Sequence, residues 1–211
     1  MASMQEKAIA ITGGASGIGL ATAKILASRG AKVSICDVSK ENLTKAKESI
    51  DGDVLACKVD VRILKEVQDW LKQTVDKFGS LDGAANLAGT IGKKFGQHAI
   101  DEEDEEMWDL IIGVNLTHGV VALTKTAAID FGSRGIRINA VAPGIVDTPM
   151  LESATSFFGP GSFEGQTKTK PIQRMAQPQE VGNTIAFLLS DDASFITGSV
   201  YEVDGGWTAG G

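Results

Sequence analysis

Residues 12 to 19 read Thr-Gly-Gly-Ala-Ser-Gly-Ile-Gly, set between an apolar run and an amphipathic run. The run before it, Ala8-Ile9-Ala10-Ile11, is short and isoleucine-rich, as a parallel strand buried on both faces should be. The run after it, Leu20 to Ala27, places Leu20, Ala23, Ile25 and Leu26 on an apolar face at helical spacing. A glycine-rich turn from a buried strand into a helix belongs to βαβ architecture, which restricts the chain to an α/β fold. Gly13, Gly17 and Gly19 permit dihedrals and a close backbone approach that a Cβ would forbid. The free N–H groups at the helix start, with the helix dipole behind them, favour an anion. The same turn can also exist with no ligand, so the rest of the chain decides between the two readings.

Three further features favour a dinucleotide. Asp37 ends the next apolar strand, Lys32 to Cys36, about 20 residues past the glycines, where a carboxylate can accept hydrogen bonds from the adenosine ribose hydroxyls. A carboxylate there repels a 2′-phosphate, so NAD is expected rather than NADP. Asp60-Val61 closes a third strand, Val54 to Val59, and Asn86-Leu87-Ala88-Gly89 closes a fourth, Leu81 to Ala85. All four sites fall at the carboxyl ends of successive strands, the edge where open α/β sheets bind their ligands.

The order strand, helix, strand, helix, strand, helix, strand predicts a doubly wound parallel sheet, a Rossmann fold, in one NAD-binding domain over 1–211. Its helices are expected near 18–29, 39–50 and 63–78. Further on, Met107 to Asn115 and Val120 to Phe131 read as helix and Ile136 to Ala142 as strand. Pro178 to Ser190 reads as helix and Ser199 to Val203 as a last strand. Residues 90–100 and 151–177 read as loops, expected to form the substrate pocket and lid. Met150, Phe157, Phe158 and Phe163 suggest an apolar substrate, with packing against the core the favoured role for any one of them. The acidic run Asp101 to Glu106 reads as a solvated helix start.

A formal charge of −7 argues against nucleic acid and anionic membrane surfaces as partners. No apolar stretch approaches the roughly 20 residues that span a bilayer. With no signal-peptide pattern at Met1 to Lys7, the expected location is cytoplasmic. Cys36 and Cys57 each sit in a predicted strand and read as reduced core residues, a disulfide between adjacent strands being the less favoured alternative. No Cys/His spacing suggests a metal site, and His98 and His118 are isolated.

The chain resembles a short-chain dehydrogenase/reductase over nearly its whole length. The resemblance rests on Thr12-Gly13-x-x-x-Gly17-x-Gly19, Asp60, Asn86-x-Ala88-Gly89, Asn115, Arg137-x-Asn139-x-Val141-x-Pro143-Gly144 and Asp204-Gly205-Gly206. It implies a nicotinamide dinucleotide, hydride exchange between a secondary alcohol and a ketone, and a homodimer or homotetramer. Carried over by motif, Gly13, Ser16, Gly17, Ile18 and Gly19 surround the pyrophosphate. Asp37 takes the ribose, Asp60 and Val61 flank the adenine, and Asn86, Ala88 and Gly89 line the cofactor floor. Pro143, Gly144, Ile145 and Thr148 hold the nicotinamide end. The stretch Leu81 to Asn86 resembles that of fungal members acting on secondary metabolites.

The resemblance fails at one place. The family's chemistry uses a Tyr as proton donor, a Lys four residues later that lowers its pKa, and a Ser on the preceding strand. This chain has one Tyr, Tyr201, and the residue four positions on is Gly205. Lys125 has no Tyr four residues before it. Asn115, whose family role is to hold a water in a proton relay, is the one candidate catalytic residue left. The break falls between Thr117 and His118, where several tens of residues of the family pattern are missing. Trp108, Ile111, Ile112, Leu116, Val120 and Leu123 keep helical spacing across it, which predicts one long helix from about 104 to 131 and the loss of a central strand. Three functions follow: an NAD-dependent oxidoreductase, a dinucleotide- or substrate-binding protein without hydride transfer, or a non-redox enzyme using the same cleft.

Overall fold

Ala8–Thr12 (β1) is buried at every position, which explains why its isoleucines show no polar alternation. The computed structural model describes residues 3–91, 110–111, 114–115, 120–158 and 162–209. The described chain divides into two compact units, the first comprising residues 1–89 with 182–193 and the second 90–181 with 194–211.

In the first unit, β1 lies between Lys32–Asp37 (β2) and Gly83–Asn86 (β4), and Val54–Lys58 (β3) pairs with β2. All three pairings are parallel, in the order β3-β2-β1-β4. The chain runs outward from β1 through β2 and β3, then returns to β1's other side with β4. The order therefore reverses between β1 and β4, the switch point beside which such sheets bind ligands. The helices Gly17–Ser28 (α1), Lys40–Ser49 (α2) and Leu64–Phe78 (α3) make the crossovers, each within two residues of its expected boundaries. α3 buries Trp70, Thr74 and Phe78. Trp70 Nε1 donates to Ser34 Oγ at 2.8 Å, and Ser34 Oγ lies 2.7 Å from Thr74 Oγ1, so the polar atoms under this helix satisfy one another. At the sheet's base, Asp82 accepts from Ala8 N at 2.8 Å and from Ser80 Oγ at 2.7 Å.

In the second unit, Ala140–Pro143 (β5) and Val200–Val203 (β6) form a separate two-stranded parallel sheet. β5 begins four residues later than expected, because Ile138 and Asn139 bond to residues 196–199 ahead of the ladder. Val120–Gly132 (α4) matches its expected helix, and residues 110–111 and 114–115 are helical. The long helix expected over 104–131 is thus described only in these parts. The Thr117/His118 junction, the two histidines, the acidic run and the 92–100 part of the first pocket loop lie outside the described residues. The stretch 151–177, expected to be loop, instead contains Pro149–Phe158 (α5) and Ser162–Thr167 (α6). The missed signal is local: Thr148 precedes a proline at the first helical position, and Leu151 N donates to the Thr148 hydroxyl at 3.3 Å. Pro178–Leu189 (α7), which belongs to the first unit from Gly182 on, forms as expected.

Among the described residues, β4 is paired along one side only, by β1, and β5 is paired only by β6. Ala84 and Asn86 are exposed although the sequence of β4 reads as a buried strand. This agrees with the expected loss of a central strand.

Candidate functional site

At the carboxyl end of β1 the chain folds back through Gly13 and Gly17, whose φ angles are +64° and +50°. Both lie in the left-handed region that favours glycine. A Cβ on Gly13 would sit 2.8 Å from the Leu87 carbonyl oxygen, and one on Gly19 would sit 2.1 Å from the carbonyl oxygen of Gly13. The loop therefore closes only with glycine at these positions, and its backbone is bare towards any ligand. Ser16 is the N-cap of α1, but its side chain makes no capping hydrogen bond, and the first turn carries no acidic residue. By contrast, Ser39 caps α2 at Asn42 N, and α2 and α3 have Glu41 and Glu66 in their first turns. The positive end of α1 is left uncompensated by the chain, which suits a phosphate. Ile18 lies in that first turn and is half-buried.

The loop after β4 is tied directly to this turn. The Thr12 hydroxyl, 8% exposed, accepts from Leu87 N at 3.0 Å and from Ala88 N at 3.1 Å. Thr12 and Asn86 are paired in register across β1 and β4. Asn86, Ala88 and Gly89 thus stand next to the glycine turn at the switch point. Thr12 belongs to the motif but was not among the expected site residues. Its role could be read only once β4 was known to lie beside β1.

Asp37 ends β2, half-buried, and one carboxylate oxygen accepts from Ser39 N at 3.0 Å. That bond fixes the carboxylate at the strand end, where its second oxygen can accept a further hydrogen bond. Asp60 and Val61 follow β3. The Asp60 carboxylate is clasped by Arg62, with Nη2 at 2.6 Å from Oδ2 and Nε at 3.0 Å from Oδ1, and the guanidinium holds its carboxyl below the usual carboxylate range. Its adenine-facing role, expected from the sequence, therefore competes with a standing ion pair. The first unit thus brings eleven of the sequence-predicted residues, Gly13 through Gly89, to one strand edge.

In the second unit, Gly144 follows β5 and approaches Asp204 so closely that a Cβ would meet the Asp204 Cα at 2.8 Å. Pro143 is exposed, and Ile145 O accepts from Ala176 N at 2.9 Å. Thr148 spends its hydroxyl on the N-terminus of α5. Both ends of the Asn115 carboxamide are bound to the backbone of Thr90: Oδ1 accepts from Thr90 N at 2.9 Å, and Nδ2 donates to Thr90 O at 2.7 Å. This side chain works as a backbone clamp. Tyr201 is a half-buried residue of β6, paired in register with Val141. Beside Gly144 and Ile145 opens a cavity of about 240 Å³, lined further by Lys170, Arg174, Asp204 and Trp207. Its polar groups are engaged within the chain: Lys170 lies over the Trp207 ring at 4.0 Å, and Arg174 donates two parallel hydrogen bonds to Glu180, whose carboxyl this pushes down to about 2. Among the described residues no group of His, Cys, Asp and Glu is arranged to hold a metal ion, and no helix is long and apolar enough to cross a membrane.

A family model described as short chain dehydrogenase matches residues 7–120, and one described as enoyl-(acyl carrier protein) reductase matches 117–208. The two matches meet at the junction read from the sequence. A short-chain dehydrogenase/reductase of Botryotinia fuckeliana, aba4, is 38% identical over 249 residues, covering 96% of each chain. Levodione reductase of Leifsonia aquatica is 32% identical, covering 97% of this chain and 95% of the relative. Cyclohexanol dehydrogenase of an Acinetobacter species is 33% identical, covering 97% and 96%. The crystal structure of a levodione reductase superposes with a TM-score of 0.92 at 31% identity, covering 98% of this chain and 99% of that one. The alignment to the Botryotinia protein has 249 positions, whereas 96% of these 211 residues is about 203, so about 46 positions have no counterpart here. That agrees with the several tens of residues missing from the family pattern. With one family model covering more than half of the chain and relatives above 30% identity along nearly all of it, this chain belongs to the short-chain dehydrogenase/reductase family.

Proposed function

We propose that the first unit is an NAD site, in a lineage of oxidoreductases that interconvert a secondary alcohol and a ketone on a small apolar substrate. The observation that carries this reading is the uncapped start of α1 behind the Gly13–Gly19 turn, with the Asp37 carboxylate fixed by Ser39 N at the neighbouring strand end. The N–H groups of the turn would hold the pyrophosphate, and Asp37 would accept from the adenosine ribose. The carboxylate charge disfavours a 2′-phosphate, which supports NAD over NADP. When bound, NAD supplies the acceptor or donor of hydride. The substrate class is taken from relatives named for levodione and cyclohexanol, and the exposed Met150 on α5 is compatible with an apolar ligand.

A second reading is favoured by one sequence observation: there is a single tyrosine and no Tyr-x-x-x-Lys. Without a tuned proton donor beside the substrate oxygen, a polarised carbonyl has no acid to receive its charge. We therefore propose that these 211 residues bind NAD and transfer hydride slowly or not at all. A location in the cytoplasm and self-association into a homodimer or homotetramer remain part of the proposal.

Titration with NADH and NADPH, followed by nicotinamide fluorescence, tests the cofactor assignment. NADH should bind tighter than NADPH, and Asp37→Asn should weaken NADH about 10- to 100-fold, as expected for losing a charged hydrogen-bond acceptor. Equal affinity for both nucleotides, or an unaffected Asp37→Asn variant, would remove the ribose role.

A further inference from the structure

The two cysteines are direct neighbours. Cys36 and Cys57 are register partners across the parallel pair β2–β3. Register partners point to the same side of a sheet, here towards α3. Cys36 packs with Trp70, while Cys57 and Leu71 pack against the same cluster, and the Cys57 thiol reaches Gln73 Oε1 at 3.7 Å. Adjacent strands lie about 4.8 Å apart, inside the roughly 4.4–6.8 Å Cα separation of a disulfide, so the backbone spacing of register partners falls in the range the bond needs. Both thiols are free in this structure. They differ in access, since Cys36 is fully buried and Cys57 half-buried. Burial raises both thiols, Cys36 up to about 12, while the charge of Lys47 acts in the opposite direction on Cys57.

We propose that Cys36 and Cys57 are a redox-responsive pair that a low-molecular-weight disulfide converts into a cross-strand disulfide between β2 and β3. Cys57 is the entry point. Its thiolate attacks one sulfur of the small disulfide, forming a mixed disulfide and releasing one small thiolate. The Cys36 sulfur, losing its proton, then displaces the second small thiolate from Cys57 and closes the protein disulfide. The two cysteine thiols lose two electrons and two protons, and the small disulfide gains them as two thiols. The bond would sit one residue before Asp37, whose carbonyl already accepts from Val59 N at 3.0 Å. It would staple the strand end that carries the ribose carboxylate. The pairing itself does not depend on the cofactor reading.

The folded protein is incubated with oxidised glutathione, then examined by thiol titration, intact mass and non-reducing peptide mapping. The wild type should lose both thiols, retain no glutathione and yield a cross-linked peptide containing Cys36 and Cys57. Cys36→Ser should trap glutathione on Cys57, and Cys57→Ser should stay unmodified. The proposal is overturned by two persistent free thiols in the wild type, by glutathione retained on wild-type Cys57, or by linkage between chains. A reaction rate that climbs steeply with low urea would place the chemistry in the unfolded chain and overturn it equally.

Discussion

Thr12 shows how one hydroxyl can align two loops. It accepts from Leu87 N and Ala88 N, so it fixes the end of β4 against the glycine turn. Thr12→Val keeps the side-chain shape and orphans both N–H groups. We expect a loss of about 1–3 kcal/mol in unfolding free energy, measured by urea denaturation, together with weaker NADH binding. Asp82 works at the opposite end of the sheet. The Ala8 N–H, the Ser80 hydroxyl and the positive charges of Lys7 and Lys32 hold its carboxyl below the ordinary carboxylate value. A folded pKa below the unfolded one means that the contribution is fully present above about pH 4 and is lost as pH falls through the folded value. Asp82→Asn should therefore be less stable than wild type at pH 7 by about 1 kcal/mol, given the exposure of the group, and the gap should narrow as pH falls below about 4. Unfolding curves across that range check it. The tight backbone at Gly13, Gly17 and Gly19 and the strand-end position of Asp37 were legible from sequence because they depend on local backbone and on where a strand stops. Thr12, Asp82 and the Arg62 clasp on Asp60 were not. Each of these depends on a partner brought in by side-chain geometry or by pairing across the sheet.

At the scale of elements, hydrophobic periodicity placed α1, α2, α3, α4 and α7 to within a few residues. It failed over 151–177, where glycine, proline and serine suggested loop and Thr148 with Pro149 instead start a helix. Several elements also carry apolar surface that nothing described covers. Val120, Val121, Leu123 and Ile129 of α4 are exposed, Ile129 by 81%, and Ala84 of β4 is exposed beside an unpaired strand edge. Uncovered apolar helix faces and bare strand edges favour association. The molar mass from light scattering should rise with protein concentration, and Ile129→Lys should reduce that rise without lowering NADH affinity. A molar mass constant with concentration, or a rise insensitive to Ile129→Lys, would show that this face is covered.

For the whole molecule, the family and the parallel α/β fold were legible because the motifs run along nearly all of the sequence. The break in the motif pattern was legible for the same reason: Asn115 is present, and the Ser, Tyr and Lys expected after it are missing. The two family matches meet at 117–120, at the same junction, and the alignment to the Botryotinia protein agrees in the number of positions lost. The first unit keeps its four-stranded sheet and the glycine turn at Gly13–Gly19. The glycine turn and the missing Tyr-x-x-x-Lys together lead us to propose that these 211 residues hold NAD without carrying out the family's chemistry. The direct test takes protein whose intact mass is verified near 22.1 kDa. NADH binding by that sample is measured first, and NADH oxidation is then followed with a panel of small cyclic ketones. We expect saturable NADH binding and ketone-dependent oxidation no faster than the background. Turnover near the roughly 10 per second of an ordinary enzyme, or no NADH binding by folded protein, would contradict it.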